Sequence, residues 1–307
     1  NYQQDPKLVF PGPWGGHNWH PMSFNPNTGL VYLPAHDTSL IYTNDTEFEH
    51  RPWAWNLGMD IGAALDQLAE LPEFKGYLIA WDPIQRKAVW RKQHKGFWNG
   101  GTLATAGGLV FQGTGDGLFA AYDADSGDVM WQTASTTGIM APPVSYSIAG
   151  EQYVAVAAGY GGGVIGGANP DAIINDYHNE GRVLVFKLGG NAAMPMSAPR
   201  DKTVPKPPAM DASEEQLAQG KELYGQHCSP CHGGNVVSSW VVPDLRYLSA
   251  DRHAIFTDIV VNGALQSLGM PEFSDYLEAD STQSIHAFVI AQAKVLYDEE
   301  QADTSGD

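Results

Sequence analysis

Ala80-Trp81-Asp82-Pro83-Ile84-Gln85-Arg86-Lys87-Ala88-Val89-Trp90 and Ala121-Tyr122-Asp123-Ala124-Asp125-Ser126-Gly127-Asp128-Val129-Met130-Trp131 are two copies of one pattern: alanine, an aromatic residue and aspartate, answered eight residues later by tryptophan. The copies lie 41 residues apart. Between them, Gly107-Gly108-Leu109-Val110-Phe111-Gln112-Gly113-Thr114-Gly115-Asp116-Gly117 runs as a short strand into a glycine-rich turn. Leu30-Val31-Tyr32-Leu33, after Asn27-Thr28-Gly29, echoes that strand earlier in the chain. A repeat of about forty residues made of short strands fits the blade of a β-propeller, a four-stranded sheet that buries its faces against its neighbours. The pattern predicts that Trp90 and Trp131 pack between adjacent blades and that Asp123 and Gly127 shape a tight turn. The first copy has Arg86 where the second has Gly127, so only the second turn keeps the glycine favoured at a left-handed position.

The same texture extends to about residue 190, with β-branched and aromatic runs alternating with Gly, Asp and Asn turns. Val31-Tyr32-Leu33, Leu109-Val110-Phe111, Tyr153-Val154-Ala155-Val156 and Val183-Leu184-Val185-Phe186 are the clearest strands. Pro195, Pro199, Pro205, Pro207 and Pro208 then punctuate an extended, semi-rigid segment. Beyond it, Ser213-Glu214-Glu215-Gln216 reads as a serine-capped helix start, with Leu217, Gly220, Leu223 and Tyr224 at helical spacing. Thr282 to Val295 reads as a second helix that buries Ile285, Phe288, Val289 and Ala293. A β-rich part is therefore expected to precede an α-helical one.

Composition narrows the function. The chain has 307 residues, 43% of them hydrophobic, and no apolar run long enough to span a membrane. Asn1-Tyr2-Gln3-Gln4-Asp5 has neither a basic region nor an apolar core, so a signal peptide is expected to be absent or removed. With 17 Lys and Arg against 35 Asp and Glu, the net charge of −18 argues against nucleic acid, which must be neutralised by clustered basic residues. The acidity reads either as a solvated surface or as a field that steers a basic or neutral redox partner. It is strongest after Asp211, where acids outnumber Lys and Arg roughly fourfold.

Both cysteines fall in Cys228-Ser229-Pro230-Cys231-His232. This C-x-x-C-H spacing lets two thiols reach the vinyl groups of one porphyrin while the adjacent histidine meets the iron, so Cys228 and Cys231 are the expected covalent haem attachments and His232 an axial ligand. A zinc site lacks its second ligand pair. Met270, in Leu268-Gly269-Met270-Pro271-Glu272-Phe273, is the only methionine after the motif and the expected second axial ligand; a distal His253 or His286, or a Met270 that only fills a core gap, are the alternatives. Arg246 and Tyr247 are candidates for the haem propionates, with surface solvation as the other reading. Haem attachment to two reduced thiols implies an export-side assembly system and a periplasmic location.

Propeller repeats followed by a C-x-x-C-H domain resemble the C-terminal half of the quinohaemoprotein alcohol dehydrogenases. The resemblance covers nearly the whole chain. It is carried by Pro11-Gly12-Pro13-Trp14-Gly15-Gly16-His17-Asn18-Trp19-His20-Pro21, the two blade motifs, Ala158-Gly159-Tyr160-Gly161-Gly162-Gly163, the haem segment and Gly269-Met270-Pro271-Glu272-Phe273. It implies a mainly β plus all-α fold: the last blades of an eight-bladed-type propeller at residues 1–190, a Pro-rich linker at 191–211, a class I-like cytochrome c domain at 212–297 and an acidic tail at 298–307. It also implies that Asn18 hydrogen-bonds pyrroloquinoline quinone, that Trp19 lies along its edge, and that Gly161 and Gly162 line the same pocket. Family members are much longer, and their other half supplies the aspartate base, the calcium ligands, a vicinal disulfide and the tryptophan beneath the quinone. No catalytic residue is therefore expected in this chain, and a complementary N-terminal propeller half or second chain is the expected partner.

Two functions follow. In the first, the completed propeller oxidises an alcohol through the quinone, and the haem passes electrons singly to an external acceptor, an azurin-like copper protein or another cytochrome. In the second, the propeller is only a docking scaffold for an electron-transfer cytochrome. Near-ultraviolet absorption by bound quinone separates them. His17 and His20, which flank the Asn-Trp pair, read as packing or solvent-facing residues, with a place facing substrate as the other reading. Trp53, Trp55 and Met59, with the apolar residues up to Leu71, read either as an insertion at the substrate entrance or as a helix packed between domains.

Overall fold

A computed structural model of the chain describes residues 2–50, 56–67, 70–161, 169–238 and 240–305. They form two compact units: Pro6–Tyr42 with Leu68–Arg200, and Thr43–Gln67 with Asp201–Asp307.

In the first unit, β1 (Lys7–Val9) pairs with β4 (Leu40–Tyr42), and three antiparallel sheets follow. β2 (Ser23–Asn25), β3 (Leu30–Asp37), β5 (Lys75–Asp82) and β6 (Lys87–His94) make the first sheet. β7 (Asn99–Ala104), β8 (Leu109–Thr114), β9 (Leu118–Asp123) and β10 (Val129–Ala134) make the second, and β11 (Val144–Ile148), β12 (Glu151–Ala158) and β13 (Arg182–Lys187) the third. All four strands expected from the sequence lie in these sheets, which are the blades of a partial propeller. The period-2 alternation of a strand sends Leu30, Tyr32, Leu78 and Ala80 to one face, where they meet Val110, Ala120 and Tyr122 of the second sheet. Phe119, on the second sheet's opposite face, joins Val154, Val156 and Leu184 of the third.

Both repeat tryptophans sit between sheets. Trp90 Nε1 donates to Ala124 O at the end of β9 (3.0 Å), and Trp131 sets its edge against Phe186 of β13 at 5.3 Å. The two turns are also alike. Asp82 Oδ1 accepts from the backbone N–H of Ile84 and Gln85, and Asp123 Oδ1 from those of Asp125 and Ser126. The residue that follows is left-handed in both, with φ +55° at Arg86 and +76° at Gly127. The first turn thus keeps the left-handed conformation without the glycine. Gly127 has a second reason to lack a side chain, since a Cβ there would come within 2.7 Å of Trp90 Cε3.

The Pro-rich stretch is extended and anchored. Up to Arg200 it lies along the first unit through Ser197 N–H to Thr136 Oγ1 (2.6 Å) and Arg200 N–H to Asp176 O (2.8 Å). In the second unit, Val204 N–H donates to the Glu300 carboxylate.

That unit contains α1 (Ile61–Asp66), α2 (Glu214–His227), α3 (Ser229–His232), α4 (Ala250–Ala254), α5 (Phe256–Val260) and α6 (Ala279–Ser305). Ser213 Oγ caps α2 by accepting from Gln216 N–H, as its sequence indicates. α2 and α6 approach closely at Gly220, where any Cβ would collide with Ser284 O. Ile285, Phe288, Val289 and Ala293 are buried, and α6 runs on through the acidic residues to Ser305, supported by the Lys294–Asp298 pair at 2.7 Å. α1 packs on α2 and on the 234–236 turn, so residues 56–67 belong with the helical unit. Met59 is buried there; Trp53 and Trp55 lie outside the described residues. Among the described residues, no helix is long and apolar enough to cross a membrane.

Candidate haem site and quinone-facing segment

The haem motif is one helical turn appended to α2. Cys228 N–H closes on Tyr224 O (2.9 Å), and Cys231 and His232 N–H both return to Cys228 O (3.1 and 2.9 Å). Pro230, in the first turn of α3, needs no helical donor. Gly233 stops the turn at φ +77°, where a Cβ would collide with Val237 O. Tyr224 OH reaches Gly233 O (2.9 Å) and His232 O (3.2 Å), and burial raises its phenol pKa.

His232 is 6% exposed, and its Nδ1 lies 2.9 Å from Pro243 O. A carbonyl only accepts, so Nδ1 carries the proton. Burial lowers the ring's pKa against the opposing pull of Pro243 and Asp244, and with Nδ1 turned to the carbonyl, Nε2 is the nitrogen left to ligate. Cys228 is buried and Cys231 exposed; burial, and then Cys231, pushes the Cys228 thiol up to about 12.

Cys228 belongs to an apolar cluster with Tyr224, Phe256, Phe273, Ile285 and Phe288, and Met270 packs against that same cluster. The Met270 loop is braced by Gly269 in the left-handed region (φ +95°), Met270 N–H to Leu265 O (3.3 Å) and Phe273 N–H to Val260 O (2.9 Å). The alternative ligands occupy each other: His253 Nδ1 and His286 Nε2 are 2.8 Å apart, and His286 stacks on Phe256.

Arg246 donates through Nε and Nη2 to the two oxygens of Asp244 (3.0 and 2.8 Å). Burial alone would lower its pKa, but the Asp244 bonds and charge raise it. Tyr247 lies against Trp240 at 4.8 Å, and burial raises its pKa.

In the first unit Asn18 is exposed, with Nδ2 on Trp14 O (3.0 Å) and Oδ1 accepting from Trp19 N–H (2.8 Å). Trp19 is 51% exposed and stacks at 4.0 Å on His20. His20 is buried edge-on against Trp98 at 4.5 Å, and burial, with His36 and then His17, lowers its pKa to about 3. Its packing role matches the sequence reading, and His17 Nδ1 lies on Pro34 O (2.6 Å). Gly161 follows a pinned segment, in which Tyr160 and Asn179 exchange two hydrogen bonds (2.8 and 2.9 Å), and among the described residues a Cβ at Gly161 would meet nothing within 4 Å. Gly162 and Gly163 lie outside the described residues.

Sequence reasoning passed over Asp244, Tyr224 and the Pro243 carbonyl. Pro243-Asp244 downstream of the haem motif is the signal available for two of them. Nothing in the sequence singles out Trp98 beneath His20.

Comparison with known proteins agrees with this arrangement. Residues 80–154 match the family described as glucose/ethanol/alcohol dehydrogenase, beta-propeller domain, and residues 215–289 the family described as cytochrome C oxidase, cbb3-type, subunit III. The chain is 41% identical over 292 residues to quinohemoprotein alcohol dehydrogenase ADH IIB of Pseudomonas putida, covering 95% of this chain and 42% of that protein. It superposes on the solved structure of quinohemoprotein alcohol dehydrogenase ADHIIG from Pseudomonas putida with a TM-score of 0.87 at 40% identity, covering 96% of this chain and 44% of that one. For the Comamonas testosteroni enzyme the TM-score is 0.74 at 35% identity, covering 94% and 43%. The chain therefore spans about two fifths of the length of the curated relatives it matches, and along nearly all of its own length it is homologous to the C-terminal part of the quinohaemoprotein alcohol dehydrogenases, a partial propeller followed by a cytochrome c domain.

Proposed function

We propose that this chain is the electron-exit part of a periplasmic quinohaemoprotein alcohol dehydrogenase. Cys228 and Cys231 hold haem c by thioethers, His232 Nε2 and Met270 ligate its iron, and Asn18, Trp19, Gly161 and Gly162 contact pyrroloquinoline quinone. The observation that carries the reading is His232 with Nδ1 fixed on the Pro243 carbonyl and Nε2 left to ligate, on the same turn as both cysteines, one of which lies in the apolar cluster that takes Met270. Bound quinone supplies two-electron oxidation of the alcohol, and bound haem supplies one-electron transfer onward.

This chain's residues bind and orient. Asn18 has a second amide N–H to offer beyond its bond to Trp14. Trp19 presents a half-exposed ring whose position is set by His20. Arg246, with Nε and Nη2 on Asp244, keeps Nη1 for a propionate, and Tyr247 offers its hydroxyl. The catalytic base and the calcium ligands are assigned to the complementary blades. Those blades have places to dock: Val144, Ile148, Val183 and Val185 expose an apolar face on the third sheet, and Phe24 and Trp81 lie exposed on the first. In domain terms, residues 1–190 hold the blades, apart from Thr43–Gln67, which group with the helical unit; 191–211 link them to the cytochrome domain at 212–297, and 298–307 are its acidic end. The acidic surface suits an azurin-like or cytochrome acceptor of basic or neutral charge.

The test is reconstitution. Expressed with the complementary blades and supplied with calcium, quinone and a primary alcohol, the protein reduces its haem, seen as a sharpened α-band. A fully assembled complex that never reduces its haem sinks the dehydrogenase reading.

A further inference from the structure

We infer that Asp244 is a positioning residue for the axial histidine: its buried carboxylate joins Ser238 to the loop that ends at Arg246 and so holds the Pro243 carbonyl on His232 Nδ1. The inference rests on the haem reading above. Asp244 is 3% exposed, and both of its carboxylate oxygens are taken. Oδ1 accepts from Arg246 N–H and Nε (both 3.0 Å); Oδ2 accepts from Arg246 Nη2 (2.8 Å) and from Ser238 N–H (3.2 Å). The adjoining residue, Pro243, is the one whose carbonyl meets His232.

The loop and the turn before it hold backbone that L-residues rarely adopt. In the turn just before the loop Asn235 and Val236 have φ of +50° and +66°, where a β-branched residue is an outlier, and inside the loop Trp240 has φ of +62°. Such backbone persists only where its surroundings over-determine it. Asp244 joins the two ends of the loop, at Ser238 and Arg246. A second brace, from Ser238 Oγ to Val242 O and from Trp240 N–H to Ser238 Oγ (3.3 Å), lies inside it. A hydrogen bond from the distal ring nitrogen fixes the orientation of a ligating histidine and makes it a stronger donor. The carboxylate therefore acts on the iron through the loop rather than by touching it.

Asp244→Asn tests this in the full chain carrying haem. The amide offers an N–H where Oδ2 now faces two donors, so the loop shifts and the Pro243 bond lengthens. The expected results are a haem reduction potential shifted upward and faster solvent exchange of the His232 Nδ1 proton in NMR of histidine-labelled protein. Freed Arg246 charge alone would also raise the potential. The double variant Asp244→Asn/Arg246→Gln separates the two: the upward shift persists if the loop is responsible and vanishes if charge is. A shift that vanishes, an unchanged Nδ1 proton, or a lower melting temperature with an unchanged potential overturns the inference. If Asp244→Asn does not accumulate, Asp244→Glu keeps the charge on a longer arm and should give a smaller upward shift; no shift overturns the inference equally. Failure of the haem reading looks different: the unmutated chain, produced with haem-attachment machinery, would show no thioether haem at all.

Discussion

His232 and His20 are both nearly inaccessible, and burial lowers the pKa of each, but only His232 has a carbonyl that fixes its proton. His20 Nε2 has no hydrogen-bond partner among the described residues and is held by ring contacts with Trp19 and Trp98. The same contrast separates the surroundings. The expected haem ligands come from one helical turn and one braced loop, both resting on a single apolar cluster. The expected quinone contacts lie at exposed positions of a propeller whose first and third sheets expose apolar residues. A site assembled from neighbouring segments is finished within one chain, whereas a site on a propeller axis is shared among all the blades.

The strongest challenge to this contrast is at the cysteines. Cys228→Ala/Cys231→Ala should abolish haem retained on a denaturing gel, and haem surviving denaturation in that variant would remove the motif from its assigned role. Met270→Ala should keep the covalent haem but lower its reduction potential, by a substantial part of the roughly 0.8 V that axial ligands span. An unchanged potential would return the distal position to His253 or His286.

On the propeller side, two described sheets approach closely at Gly127. Gly127→Ala tests this. It places a side chain on a left-handed residue, at about 1–2 kcal/mol, and drives a methyl into Trp90, at about 1–3 kcal/mol more. A loss of roughly 2–5 kcal/mol in denaturant unfolding is expected. A loss under 1 kcal/mol would mean that the two sheets are not locked together at this turn.

How much of this was legible in the sequence follows from the distance over which each feature is encoded. The C-x-x-C-H turn, the serine cap of α2 and the Asp-centred turns are written in five or six consecutive residues, and the 41-residue period carried the blades. The left-handed Arg86 was not legible, because the sequence shows only that glycine is missing. The conformation is imposed by the strands and by Asp82. Asp244 escaped notice because its importance lies in four donors converging on a buried carboxylate, two of them from the Arg246 side chain. The extent of α6 was underread because acidic residues suggested a tail, whereas Lys294–Asp298 and the Glu300–Val204 contact carry the helix onward.

The two histidine environments can also be compared by pH. His20 titrates near 3 in the folded protein and near 6.5 unfolded, so between those values the unfolded chain binds a proton that the folded one refuses. Stability therefore falls as pH drops through that window, by up to about 1.4 kcal/mol per pH unit. His286, lowered to about 4 by burial and then by His253, acts in the same direction in the other unit. Unfolding of the first unit, followed by tryptophan fluorescence from pH 7 to pH 4, should show a shallower slope in His20→Phe. An equal slope in both proteins would place the proton uptake elsewhere.

The finest test returns to the repeat. Arg86 and Gly127 hold the same left-handed conformation in equivalent turns, and only Gly127 faces a neighbouring ring. Arg86→Gly removes about 1–2 kcal/mol of left-handed strain and restores about 0.5–1 kcal/mol of unfolded-chain entropy. The net expectation is a gain of roughly 0.5–1 kcal/mol in denaturant unfolding, with an unchanged m-value. Because the guanidinium at this position has no hydrogen bond or ion pair among the described residues, no contact is lost to offset the gain. A destabilised variant would show that the first turn is held by something other than the Asp82 carboxylate and the two strands it joins, and that the two copies, alike in sequence, differ in how they fold.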